Sequence, residues 1–162
     1  VCPRTEYGRQ KVLVEQELRT FGQAAAVVRF TKILSPETPL IRGWIDALRA
    51  GREIRPFSDM VMAPVTHEFA VEVLKRIAED HLSGVFQVSG LQDVSYAEVA
   101  RYLAHRLGAS PALVAPVPAA ARGIAAEAVP AHTTLDVTRL RCALGMEPPE
   151  MWRVIDTTFD LV

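Results

Sequence analysis

The sequence predicts an α/β fold with some parallel strand pairing. Three observations carry this. Short apolar runs of strand length alternate with amphipathic helical patterns over almost the whole chain. One of those runs, AAAVVRF at 24–30, is rich in valine and apolar at successive positions, as a strand buried on both faces requires. Helix starts and stops are marked by capping residues and by glycine or proline.

In chain order, Thr5 caps a first helix with Glu6 in its first turn, and Gly22 offers a left-handed stop. Along it Val12, Leu13 and Leu18 recur near helical spacing. The 24–30 strand follows, then a loop with Pro36 and Pro39. A helix over 40–50 carries Ile41, Trp44, Ile45 and Leu48 on one face and ends at Gly51. Residues 53–65 hold two short extended pieces around Ser58 and Asp59. Thr66 caps a helix to Asp80 with Phe69, Val73 and Ile77 in register. Val85–Val88 is another strand. Ser95-Tyr96-Ala97-Glu98 forms a capping box, and its helix carries Val99, Tyr102, Leu103 and Leu107 before Gly108. The stretch 111–130 is rich in Ala and Pro; a short strand is expected over 113–117 and a helical turn after Pro118. Asp136 caps a helix that ends at Gly145, and Pro148 and Pro149 turn the chain into a final helix over 151–159.

The length of 162 residues fits a single domain, and apolar and charged contents of 49% and 23% are those of a globular chain. This excludes a disordered tail and a collagen-like or mucin-like chain. Eighteen basic against nineteen acidic residues leave a net charge of −1, without the basic excess of a nucleic-acid binder. Cys2 and Cys142 stand at opposite ends, neither a disulfide framework nor a zinc spacing, so no metal is expected. No apolar run approaches the roughly 20 residues that span a bilayer, and no secretory leader precedes Arg4. A cytoplasmic location without a membrane partner is therefore expected. The chain opens at Val1, not Met, and enters a helical pattern within about five residues, which fits an alternative start, a processed end or a fragment.

Tyr7-Gly8-Arg9-Gln10-Lys11 carries the chemistry. A phenol and an ammonium four residues apart on a helix share a face, with Cβ atoms about 5–6 Å apart. A tyrosine ordinarily titrates near pH 10, roughly three units too high for ready proton exchange at neutrality. A neighbouring cation favours the phenolate and lowers that value. Such a tyrosine can protonate a carbonyl oxygen as hydride reaches its carbon, and the lysine can also hold a cofactor hydroxyl. Alone, the pair equally fits a solvated helix face.

The surrounding sequence resembles the extended short-chain dehydrogenase/reductase family, and within it the dTDP-4-dehydrorhamnose reductase (RmlD-like) branch. YGRQKVLVEQEL resembles the active-site helix, and AAAVVRF the strand that ends in an arginine, here Arg29. FSDMVMAPVTHEFA places Asp59, Pro64 and Ala70 as in the family. GVFQVSGLQDVSYAEVARYLAHRLG resembles its strand, glycine, capping box and helix. PAHTTLDVTRLRCALGMEPPEMW resembles the closing signature, with Leu135, Asp136, Leu140, Gly145, Pro149 and Trp152 in place. The resemblance implies the C-terminal portion of a Rossmann-type fold: an incomplete parallel sheet with helices plus a small α/β substrate-binding part. It implies an NAD(P)-dependent reductase of a 4-keto nucleotide sugar, with Tyr7 and Lys11 catalytic. Tyr7, Lys11, Phe30 and Thr31 would contact NAD or NADP, and Lys32 and His132 the nucleotide-sugar substrate. Epimerases and dehydratases of the same superfamily share the Tyr–Lys pair. Some relatives are regulatory subunits, such as the β subunit of methionine adenosyltransferase, so a non-catalytic binding module stays open.

Family members are about twice this length, and their first half is the dinucleotide-binding domain. It opens with a turn whose close glycines let the backbone approach a pyrophosphate. Here the closest glycines, Gly84 and Gly90, lie six residues apart, so that turn cannot be built from this chain. The Ser or Thr that completes the catalytic group would also precede Val1. Without the first half, Val12, Leu13 and Leu18 are expected to lose cover at roughly 1.5–3 kcal/mol per fully exposed side chain. The isolated chain is then marginal in stability or self-associates, with a homodimer as one outcome.

Other residues have plainer readings. Phe30-Thr31-Lys32 departs from the family's Thr-Ser-Trp type, which leaves the substrate open. Arg42, Arg49, Arg52 and Arg55 around Trp44 fit a charged outer helix face better than a phosphate site. Met60 and Met62 fit strand packing, and the cysteines ordinary thiols.

Overall fold

A computed structural model describes residue 3 and residues 5–161. Cys2 lies outside the described residues, and Cys142 is a free, exposed thiol. The first helix, α1 (Glu6–Arg19), starts at Thr5, whose Oγ1 accepts the Gly8 N–H at 3.1 Å. It ends shortly before Gly22, which takes the expected left-handed conformation (φ 57°) and opens a short 3₁₀ turn (Gly22–Ala24). The strands β1 (Ala26–Phe30) and β2 (Ile33–Leu34) follow, then α2 (Pro39–Arg49), β3 (Val61–Met62), β4 (Val65–Thr66) and α3 (His67–Glu79). Next come β5 (Gly84–Val88), β6 (Val94–Ser95), α4 (Tyr96–Arg106), α5 (Thr138–Leu144) and α6 (Met151–Phe159).

The parallel pairing expected from the alternation is present in short pieces. β1 runs parallel to β5 with Ala26 opposite Gly84 and Phe30 opposite Val88, and β2 runs parallel to β4. β3 and β6 are antiparallel. The expected strand at 113–117 does not form. Pro111–Leu113 is a 3₁₀ turn, and only isolated parallel bridges, Ile54 to Val114 and Phe57 to Val117, join that stretch to residues 54–57. Pro111, Pro116 and Pro118 explain this, because proline supplies no ladder donor.

Two apolar cores divide the molecule. One packs β1 and β5 against α3 and α5, through Val73, Ile77, Phe86, Val88 and Leu140. The other joins α2, α4 and α6 through Ile41, Ile45, Leu103, Val154 and Ile155. Trp44 belongs to this second core, while Arg42, Arg49, Arg52 and Arg55 are exposed around it. The two regions meet where β5 leaves the sheet. There Gly90 lies against backbone, and a Cβ at its position would stand 2.8 Å from the Pro64 carbonyl oxygen. Gly90 N–H donates to the Ala63 carbonyl at 2.9 Å. Only glycine allows that approach.

β1 departs from the expectation of a fully buried strand: all five of its residues are half-buried. Among the described residues its ladder is with β5 alone, which leaves the other edge open. α1 lies beside it and buries no residue fully. Val12, Leu13 and Leu18 do not share a face. Leu18 turns toward β1, whereas Leu13 is 61% exposed.

A candidate active site at the carboxyl end of the first strand

The groove-facing side of α1 is built from Tyr7, Lys11, Val14, Glu15 and Leu18. Their spacing of three and four residues keeps them on one stripe of the helix. With β1 they line a groove of about 560 Å³. Glu15 anchors the arrangement. It accepts the Arg29 Nε–H on Oε1 at 2.8 Å and a second guanidinium N–H on Oε2 at 2.5 Å. This forked bond ties α1 to β1 and fixes the rotation of the helix that carries Tyr7 and Lys11. The Arg29 hydrogen bond holds the Glu15 carboxyl below the usual carboxylate range, against the opposing effect of burial. Tyr7 is 70% exposed. The Lys11 ammonium lies over its ring, 5.3 Å from the centroid.

A second cavity, of about 630 Å³, opens on the other side of the β1 terminus. Arg29 and Phe30 line both spaces, so the groove and the cavity adjoin at the carboxyl end of β1. In open α/β sheets, ligands bind beyond the carboxyl ends of the strands. The cavity walls are mostly apolar: Met60, Val61, Met62, Tyr96, Pro130 and Leu135. Tyr96 meets Trp44 and Phe57 edge to face, at centroid distances of 6.2 and 6.5 Å. Burial pushes its phenol above the ordinary tyrosine range, so it stays protonated at neutral pH.

Of the residues singled out in the sequence, Tyr7, Lys11, Phe30, Thr31 and Lys32 come together around these two spaces. The Thr31 hydroxyl is committed to structure, donating to the Ala63 carbonyl at 2.5 Å. Lys32 is exposed at the cavity. His132 is 85% exposed, with Nδ1 3.8 Å from Asp93, and does not line the cavity. Sequence reasoning missed Glu15, although its place two turns after Tyr7 on the same stripe marks it. It also missed Tyr96, an aromatic at the first turn of a helix, and Asp93. Among the described residues, no cluster of three or more His, Cys, Asp or Glu could hold a metal ion. No helix among them is long and apolar enough to cross a membrane.

Fold and geometry together define an α/β chain in which a groove and an apolar cavity adjoin at the end of a parallel strand. The family described as the RmlD substrate binding domain matches residues 1–160, and the chain belongs to it. In structure it is similar to a dTDP-4-dehydrorhamnose reductase from Bacillus anthracis in complex with NADP. That pair has a TM-score of 0.82 and 19% identity, over 99% of this chain and 55% of the other. The reductase from Clostridium acetobutylicum aligns with a TM-score of 0.80 and 17% identity, over 99% of this chain and 57% of that one. A dTDP-glucose 4,6-dehydratase from Bacillus anthracis in complex with NAD gives 0.79 and 14%, over 99% and 53%. The chain thus spans about half the length of these structures, and the fold it shares with them is that of a Rossmann-type extended short-chain dehydrogenase/reductase. No curated protein sequence matches it significantly.

Proposed function

We propose that this chain is the substrate-binding portion of an NAD(P)-dependent reductase acting on a 4-keto nucleotide sugar. One observation carries the reading. The stripe bearing Tyr7 and Lys11 lines an open groove that adjoins an apolar cavity of nucleotide size at a strand's carboxyl end. Family membership and the complexes of the similar structures support it.

In this reading the substrate carbonyl lies beside Tyr7. The Tyr7 hydroxyl gives its proton to the carbonyl oxygen, and the carbonyl becomes an alcohol. The Lys11 ammonium offsets the negative charge left on the phenolate. Lys32, which has no ion pair among the described residues, faces the diphosphate at the cavity mouth. Arg29 is already neutralised by Glu15 and serves as scaffold. The groove residues Tyr7, Lys11 and Phe30, with Thr31 at the adjoining cavity, suit the reactive end of a nicotinamide dinucleotide, which when bound supplies hydride to the carbonyl carbon. This chain has no close pair of glycines to cradle the pyrophosphate. A second reading is a nucleotide-sugar-binding module without chemistry of its own.

Joining the chain to a dinucleotide-binding half and assaying 4-keto sugar reduction tests the proposal. Tyr7→Phe is expected to lower kcat by about 10²–10⁴-fold, the usual worth of a positioned proton donor, with nucleotide binding retained. Undiminished turnover removes Tyr7 from the mechanism. Nucleotide binding with no turnover in the joined protein favours the module.

A further inference from the structure

The cavity is closed on one side by the segment from Pro130 to Asp136, of which Pro130, Thr133 and Leu135 face it. This wall has no helix or strand of its own. Among the described residues, no backbone-to-backbone hydrogen bond joins 130–136 to another segment. The segment is hung instead from side chains of β5 and its exit loop. Gln87 Nε2 donates to the Asp136 carbonyl at 3.4 Å. The buried Ser89 Oγ accepts the Leu135 N–H at 3.0 Å. Asp93 does most. Its Oδ1 accepts from Thr133 N–H at 2.9 Å, Thr133 Oγ1 at 2.5 Å and Thr134 N–H at 3.1 Å, and its Oδ2 accepts from Thr134 Oγ1 at 3.3 Å.

Four donors from two consecutive residues converge on one carboxylate whose side chain is 19% exposed. Hydrogen bonds to a charged acceptor are the stronger kind, and here they replace the ladder that would otherwise fix the wall. We propose that Asp93 is a positioning residue, the latch that holds the 130–136 wall against the nucleotide cavity. It touches no substrate itself; it sets the fraction of molecules whose cavity has the binding shape. Apparent affinity falls in proportion to that fraction. The choice of ligand class rests on the proposed function, whereas the latch rests on the hydrogen bonds alone.

The test compares the wild-type chain with Asp93→Asn, which keeps the shape but loses the charge and half the acceptor capacity. Amide hydrogen exchange is read in the absence of ligand, and dTDP and UDP are titrated separately. Exchange at Thr133, Thr134 and Leu135 is expected to rise at least about tenfold while β1 and β5 amides hold, and nucleotide affinity to fall about tenfold in step. Thr134→Val withdraws one donor from the wall side and shows the same local effect in smaller measure. It serves in place of Asp93→Asn if that variant fails to fold. Unchanged exchange at 133–135 overturns the latch. Faster exchange with undiminished nucleotide affinity overturns its positioning role. Faster exchange in a chain whose wild type binds neither nucleotide leaves the latch standing and defeats the nucleotide reading.

Discussion

Glu15 shows how much one side chain decides. It shares a helical stripe with Tyr7 and Lys11, yet its partner Arg29 lies on a strand, so their pairing belongs to the folded chain. Because its folded pKa is depressed, Glu15 contributes stability in full above the unfolded glutamate value of about 4.3. That contribution is lost as pH falls through the lower folded value. Glu15→Gln is expected to cost about 1.5–3 kcal/mol at neutral pH, the usual worth of a hydrogen bond to a charged group. It should also flatten the acid side of the stability profile. Urea melts of both proteins between neutrality and mild acid check this; equal loss of stability in the two on acidification refutes it.

Among the elements, helix starts were legible from residue types because a cap is a local event. Thr5, Thr66 and Ser95 each accept the N–H three residues on. The Ser95–Glu98 box is complete, with the Ser95 N–H donating to Glu98 Oε2 at 2.7 Å. The Ser95 hydrogen bonds hold the Glu98 carboxyl below its usual range. Ser95→Ala removes one half of the box and is expected to cost about 1 kcal/mol of stability. An unchanged melting midpoint would show that packing of α4 alone holds its start. Asp136 is a near case: its Oδ1 accepts the Thr138 N–H at 2.9 Å, but the helix boundary falls at Val137. The missed element, 113–117, failed because pairing with 54–57 is long-range and the prolines leave only single bridges.

At the scale of the whole molecule, apolar side chains of α1, the turn after it and α3 stay uncovered. Leu13, Val14 and Phe21 are 55–63% exposed, and Val71 and Leu74 are 49% and 46% exposed. A groove of about 450 Å³ runs between the open side of β1 and α3, lined by Val28, Leu74 and Ile77. Parallel sheets are ordinarily covered on both faces. The isolated chain is therefore expected to bind hydrophobic dye in its native state or to self-associate at micromolar concentration. Sedimentation velocity with a dye titration decides; a cooperative, dye-free monomer would show that this surface is tolerated.

The alternation of strands and helices, the caps, the core face of α2 and the Tyr7–Lys11 stripe were all determined by the sequence alone. Each depends on residues within a few positions, where the periods of helix and strand are enough. Tertiary structure alone decided the rest. It joined groove to cavity at Arg29 and Phe30, brought Met60, Tyr96 and Leu135 around one cavity, and turned His132 outward while Asp93 took the threonines. Those partners lie tens of residues apart, and only closing the chain on its two cores sets which side chains meet.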